Sequence, residues 1–420
     1  MKRRVVVTGM GIWSCIGHDL ASVTNSLRCG QSGIVFDIDR INNGLQSGLA
    51  GKVGRPDIKK MLNRDERILM TIDAEYAYMA VKQALKQARI TQEYIEQNEI
   101  GIIFGDDGHS ANIEELYACQ IDHNKIAKID PFAWVTHETS NCNIALTTLL
   151  HLRGINFCVG GACASGSHAI GIGYTYIQQG LQDMILVGGT CEINATSSAA
   201  ADALGALSMR NNDPQHASRP FDKDRDGMVS SGGAAALVLE EYEHAKARGA
   251  TILAEVVGYG FSSNGIEEIS IPSAEGEYVA MKRALDDAGL EPSDIDYVNA
   301  HATSTIAGDI EEAKALTRLF VKENQIINHK SEIINRKPYV SSTKSMTGHE
   351  NWMAGASEAV YSILMMQNNF VAPNINLENV IDEAKDLNIV RETIYTPIRT
   401  VLSNSSGMGG TNSALVFRKI

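Results

Sequence analysis

Cys163 sits in the stretch GGACASGSH, residues 160–168, while His301 and His349 stand far downstream and Lys344 precedes the second histidine by a few positions. A thiolate attacks acyl carbons and thioesters, and it forms most readily where a helix begins, because exposed amides and the helix dipole favour the anion. Residues 155–159 read as a short apolar strand, and the small residues after Cys163 read as a long helix reaching Gln178 and Gln179. The thiol is therefore expected at a strand–helix junction with a lowered pKa. Without its distant partners it reads better as a small buried thiol filling a tight turn. His168, inside the same stretch, reads as structural.

NAHATSTIAGDIEE places His301 at a strand end and supplies Asp309 and Glu312; STKSMTGH places Lys344 and His349 in a second strand-then-turn segment. Strand ends are where α/β proteins collect their sites. Two neutral imidazoles that each donate through one ring nitrogen suit a carbonyl or carboxylate on which negative charge develops. Glu312 is the expected acidic partner of Lys344, and that pair is expected to orient His349. In SNSSGMGGTN, residues 403–412, Gly407, Met408, Gly409 and Gly410 supply flexible backbone donors; the Lys-Ser/Thr ending of a phosphate loop is absent, so an oxyanion-binding or gating loop is the better reading.

Elements able to position these groups recur along the chain. Strands are expected at 5–7, 98–105, 184–189 and 234–240, with helices over 66–88, from about 113, and over 139–152. Near residue 250 the pattern restarts with ILAEVVGYG, a helix over 275–288, a strand reaching His301, helices over 310–320 and 354–366, and paired closing strands. This order implies a duplicated α/β unit, with one half over 1–250 and the other over 251–420. The opening VVVTGMG looks like a dinucleotide turn, but Ser14 stands where that fingerprint wants glycine.

Composition narrows the function classes. The 420 residues carry 37 Lys+Arg against 50 Asp+Glu, a formal charge of -13, which argues against a general nucleic-acid binder. No run of apolar residues is long enough to span a membrane, and the N-terminal apolar run is broken by Thr8, Gly9 and Gly11, unlike a signal peptide. Seven cysteines without a CxxC pair point to free thiols in a reducing cytoplasm, and cysteines and histidines do not cluster at zinc spacing, so neither metal nor cofactor is expected.

With RRVVVTGMG, ACASG, SRPFDKDRDGMV, NAHATST, STKSMTGH and GMGGTN in this order, the chain resembles an elongating β-ketoacyl-[acyl carrier protein] synthase over essentially residues 3–418. The resemblance implies an α/β fold of duplicated thiolase-like type, five layers in the order α/β/α/β/α. It implies decarboxylative Claisen condensation of a Cys163-bound acyl group with malonyl-[acyl carrier protein]. His301, His349 and Lys344 would complete the catalytic set, Glu312 and Asp309 would support it, and the amides of Cys163 and Met408 would form an oxyanion hole. It further implies an acyl carrier protein partner and a homodimer, or a specialised heterodimer in an accessory pathway. Lys59, Lys60, Arg64, Arg67, Lys125, Lys128 and Arg210 are the candidates for meeting an acidic carrier.

Departures from the family pattern fall on the walls. Ala302 replaces the glycine of HGTST, Trp352 and Met353 add bulk after His349, and Met228, Ser406 and Met408 stand at positions usually aromatic. Met228, Ser406 and Met408 are the expected acyl-pocket residues, with a methionine gate softer than phenylalanine. A degradative thiolase would carry a second cysteine near the C-terminal glycine loop, and a short-primer synthase a Cys-His-Asn set; neither matches.

Overall fold

The computed structural model describes residues 2–108, 132–265, 272–323 and 337–420. The expected helix from 113, Cys119, Lys125 and Lys128 lie outside the described residues.

One unit of five strands is built twice. Its first copy comprises β1 (Val5–Ser14), β2 (Gly101–Gly105), β3 (Asn156–Val159), β4 (Met184–Cys191) and β5 (Gly233–Glu241); its second comprises β6 (Ala254–Ser263), β7 (Tyr297–Asn299), β8 (Tyr339–Ser341), β9 (Thr400–Gly407) and β10 (Thr411–Arg418). The spatial order is β3-β2-β4-β5-β1 followed by β6-β10-β9-β7-β8, with the short strand Asn388–Ile389 on the outer edge of β8. Both copies therefore have the order third, second, fourth, fifth, first. Within each copy the second strand runs parallel to the third and fourth, and the fifth runs antiparallel to the fourth and first. A short antiparallel pairing of Val5–Val7 with Ala254–Val256 joins them.

Among the described residues, six long helices cover the two halves of this sheet. Helices α1 (Ile72–Gln87) and α2 (Asn141–Leu150) pack outside the first, α4 (Ala274–Ala288) and α5 (Ile306–Thr317) outside the second, and α3 (Ser165–Gln178) and α6 (Ala354–Asn368) lie between. This makes the layers α/β/α/β/α. Strands buried on both faces need no polar alternation, which is why β4 and β5 are buried throughout. The central layer is thin because its helices touch backbone to backbone: a Cβ on Gly166 of α3 would come within 2.9 Å of the Ala356 amide of α6.

The strand expected over 5–7 does not give way to a turn at the glycines of VVVTGMG but runs on to Ser14. Gly9 and Gly11 lie inside β1, where added Cβ atoms would meet the carbonyl oxygens of Ala84 and Ala80 at 2.2 and 1.9 Å. These glycines let α1 lie directly on the strand. Gly258 and Gly260 of β6 do the same for α4, facing the carbonyls of Ala284 and Ala280 at 2.2 and 2.0 Å. The helix expected over 66–88 is divided, with a single turn at Arg64–Arg67 and α1 starting after Thr71, whose side chain accepts from the Ala74 amide.

Candidate active site

Cys163 lies between β3 and α3, in a one-turn 3-10 segment Ala162–Ala164. Ala162 holds φ at +46°, a conformation unusual for a residue with a side chain. Its amide donates to Asp107 Oδ2 at 2.7 Å, and Ser165 Oγ accepts from Gly161 N and donates to the Ala162 carbonyl at 2.9 and 2.6 Å. These bonds hold the elbow that turns the half-buried thiol toward a cavity of about 240 Å³. The Met408 amide, in the hairpin between β9 and β10, faces the same sulfur.

Burial pushes the Cys163 thiol up to about 11; Lys344 and the Met408 amide pull the other way, and Asp107 adds to the rise. The lowered pKa expected from a helix N-terminus is overturned because desolvation outweighs those favourable terms. Iodoacetamide alkylation of Cys163, followed by peptide mapping, should therefore keep accelerating past about pH 10. A rate that levels off below about pH 8 would mean a stabilised resting thiolate instead.

His301 follows β7, the second-copy counterpart of β2. Glu312 of α5 fixes its backbone, accepting from the amides of His301 and Ala302 at 2.7 and 2.6 Å and from Asn404 Nδ2 at 2.7 Å. Asp309, one turn earlier, accepts from the amides of Phe221 and Ser304 at 2.8 and 3.1 Å and pairs with Arg225. Burial pushes the Asp309 carboxyl up to about 7. His349 follows Gly348, whose φ of +71° and close approach to the Val229 carbonyl suit glycine. The His349 amide donates to the Val229 carbonyl at 2.7 Å, and its carbonyl accepts from Ser231 N at 2.8 Å.

The two imidazoles stand edge to face with centroids 5.2 Å apart. Burial, and then the charge of Lys344, depresses both well below the usual histidine range, so both are neutral. Lys344 Nζ lies 3.3 Å from His301 Nδ1. Because that nitrogen accepts, the ring proton sits on Nε2. His349 Nδ1 is buried without a partner among the described residues.

Cys163, His301, His349, Glu312, Met228, Ser406 and Met408 all line the one cavity. Lys344 and Asp309 are not among its walls, so Lys344 acts through His301 and Asp309 through the loop it holds. The expected Lys344–Glu312 pair does not form: Glu312 is taken by two amides and Asn404, and Lys344 instead pairs with Glu358 of α6. The Met408 side chain is 56 % exposed, at the rim. Ala302 lines the cavity, whereas Trp352 and Met353 do not, and Met353 is packed in the core. His168 bonds Tyr259 Oη and Thr411 Oγ1, each at 2.8 Å, a structural role.

Sequence reading missed Glu358, Asp107 and Glu277. The signal for Glu358 is a single acid inside the apolar run AGASEAVYSILMM; Asp107 and Glu277 carry no comparable mark.

A thiol, two neutral imidazoles and a backbone amide facing one cavity, on a five-layer duplicated fold, define a thioester-condensing enzyme. The beta-ketoacyl synthase N-terminal domain matches residues 2–245 and the C-terminal domain residues 253–378, and the chain belongs to the beta-ketoacyl synthase family. It is 38% identical to 3-oxoacyl-[acyl-carrier-protein] synthase 1 of Haemophilus influenzae, over 99% of both chains. It is 37% identical to 3-oxoacyl-[acyl-carrier-protein] synthase 2 of Vibrio cholerae, covering 100% of each chain. A beta-ketoacyl synthase from Burkholderia phymatum superposes with a TM-score of 0.90 at 34% identity over 100% of both chains. A type II PKS acyl-carrier protein in complex with its ketosynthase superposes with a TM-score of 0.86 at 28% identity, again over 100% of both chains.

Proposed function

We propose that the protein condenses a Cys163-bound acyl group with malonyl-[acyl carrier protein], giving 3-oxoacyl-[acyl carrier protein] and CO2. The observation that carries this reading is that Cys163, His301 and His349 converge on one cavity from two copies of the same unit. Residues 1–250 bring the nucleophile and 251–420 the histidines. In the first stage the Cys163 sulfur attacks the acyl thioester carbonyl, the carrier sulfur leaves, and the thiol proton ends on it. A neutral imidazole lining the same cavity relays that proton without a stable thiolate, and the Met408 and Cys163 amides hold the oxyanion. In the second stage malonyl thioester loses CO2 while His301 and His349 donate to its carbonyl oxygen. The enolate carbon attacks the acyl-Cys163 carbonyl, the new carbon–carbon bond forms, and the Cys163 sulfur leaves and takes up one proton. Mass spectrometry after addition of acyl-carrier should show the acyl mass on Cys163, and malonyl-carrier should then discharge it as 3-oxoacyl-carrier; an unmodified Cys163 would end this reading.

The carrier partner fits the relatives' names and the ketosynthase complex, and a homodimer in the cytoplasm, or a heterodimer in an accessory lipid, pigment or polyketide pathway, fits the family resemblance. No described helix is long and apolar enough to cross a membrane. Lys59, Lys60, Arg64 and Arg67 fall on one short segment, residues 59–67, where Lys59, Lys60 and Arg64 are exposed and Lys60 pairs with exposed Asp57 at 3.0 Å. Arg210 is committed elsewhere, donating to the Asp224 carbonyl at 2.6 Å and pairing with Asp226 on the cavity wall. Reversing Lys59, Lys60 and Arg64 together should raise the KM for acyl-carrier about tenfold at low salt, with little change for acyl-pantetheine. Equal KM values for the carrier would remove the patch from the docking surface.

A further inference from the structure

Glu277 stands in the first turn of α4, is 1% exposed, and nevertheless lines the cavity shared by Cys163 and the two histidines. None of the chemistry above uses it. Its Oε2 has no hydrogen-bond partner among the described residues. Burial raises its carboxyl well above the usual range, Glu312 pushes it the same way, and the Ser406 hydroxyl partly opposes them. Burial thus favours the protonated form, in which the carboxyl offers both a donor and an acceptor. Ser406, on β9 two residues before the amide that faces Cys163, also bonds Asn412 Oδ1 at 3.0 Å. The cavity wall mixes apolar Ala302, Met228 and Ile306 with the polar side chains of Thr303, Thr305 and Glu312. A purely hydrocarbon ligand packed against the free carboxyl oxygen leaves it unpaired, which is costly, whereas a ligand hydroxyl or amide satisfies it.

We propose that Glu277 and Ser406 form a polar subsite that takes a neutral hydroxyl or amide group of the bound thioester. The subsite depends on the reading of Cys163 as acyl acceptor only for which end of the ligand lies nearest. Two sources carry such a group: a hydroxylated acyl chain, and the amides of the carrier's pantetheine arm.

Calorimetric binding of pantetheine S-hexyl thioether, and of its isomers with a hydroxyl moved along the hexyl group, tests this on the full chain. Wild type should bind at least one hydroxyhexyl isomer about tenfold tighter than the hexyl compound. Glu277→Leu should erase that preference, and Glu277→Gln, which keeps a donor and an acceptor, should retain most of it. If the arm is the source, Glu277→Leu should instead weaken every pantetheine thioether while leaving hexyl 2-methoxyethyl sulfide, which lacks both amide and hydroxyl, unchanged. Affinities that do not differ between wild type and variants for any probe overturn the proposal. Should Glu277→Leu fail to unfold cooperatively, Glu277→Ala and Ser406→Ala serve as the loss variants in the same comparison, with Glu277→Gln still the variant that retains it. Acylation of Cys163 is read separately by mass: its absence beside intact discrimination removes the acceptor role and spares the subsite, and the converse removes the subsite alone.

Discussion

Cys163→Ala should lower condensation by about a thousandfold or more while leaving malonyl-carrier decarboxylation within about tenfold of wild type. The two stages use different groups. The covalent stage needs the sulfur, since nothing else at the elbow is a nucleophile: Ala162 and Ala164 flank it and Ser165 Oγ is already donating to the Ala162 carbonyl. Loss of CO2 needs donors at the enolate oxygen, and those are the neutral His301 and His349, whose rings stand 5.2 Å apart. His301→Ala should therefore behave in the opposite way, losing about 10² to 10³ in decarboxylation. Labelled CO2 release and Cys163 acyl mass, measured on both variants, check the division. A Cys163→Ala protein that unfolds like wild type but releases no CO2 would show that the thiol belongs to both stages.

The repeated unit was readable because its packing leaves a mark: VVVTGMG and EVVGYG both place glycines two apart on a strand, where a helix backbone needs the room. The same mark misdirected the local reading, since glycines after an apolar run also signal a turn. Cys163, His301 and His349 were readable as a set through the ordered motifs ACASG, NAHATST and STKSMTGH, since alone the thiol reads as a buried small residue and each histidine as a structural one. The partner of Lys344 was not. Glu312 lies well upstream of it and Glu358 downstream, and only the fold decides that Glu312 faces the amides of the His301 loop while Glu358 crosses from the central layer. The thiol's environment was equally hidden, because a helix start predicts a lowered pKa while the depth of the elbow raises it.

Lys344→Met should cost condensation about 10² to 10³ and make stability fall more steeply in alkali. Lys344 is 1% exposed and holds two groups, the Glu358 carboxylate and Nδ1 of His301. Without it, His301 loses the donor that keeps its proton on Nε2, the atom free to serve the substrate. Glu358 is then left in a buried site without its cation, and burial already pushes it up to about 8 with that cation present. A carboxyl whose folded pKa lies above its unfolded value contributes most stability at low pH, losing it as pH climbs from the unfolded to the folded value. In wild type that loss is complete a little above 8. In Lys344→Met the folded value moves higher, so stability goes on falling, and the gap between the two proteins should open above about pH 8 and close towards pH 6. Chemical denaturation at a series of pH values reads this directly. Lys344→Met/Glu358→Met should flatten the alkaline loss because no buried acid remains. It should not restore condensation, since the His301 proton is still unassigned. Recovery of condensation in the double variant would mean that Lys344 serves only to neutralise Glu358.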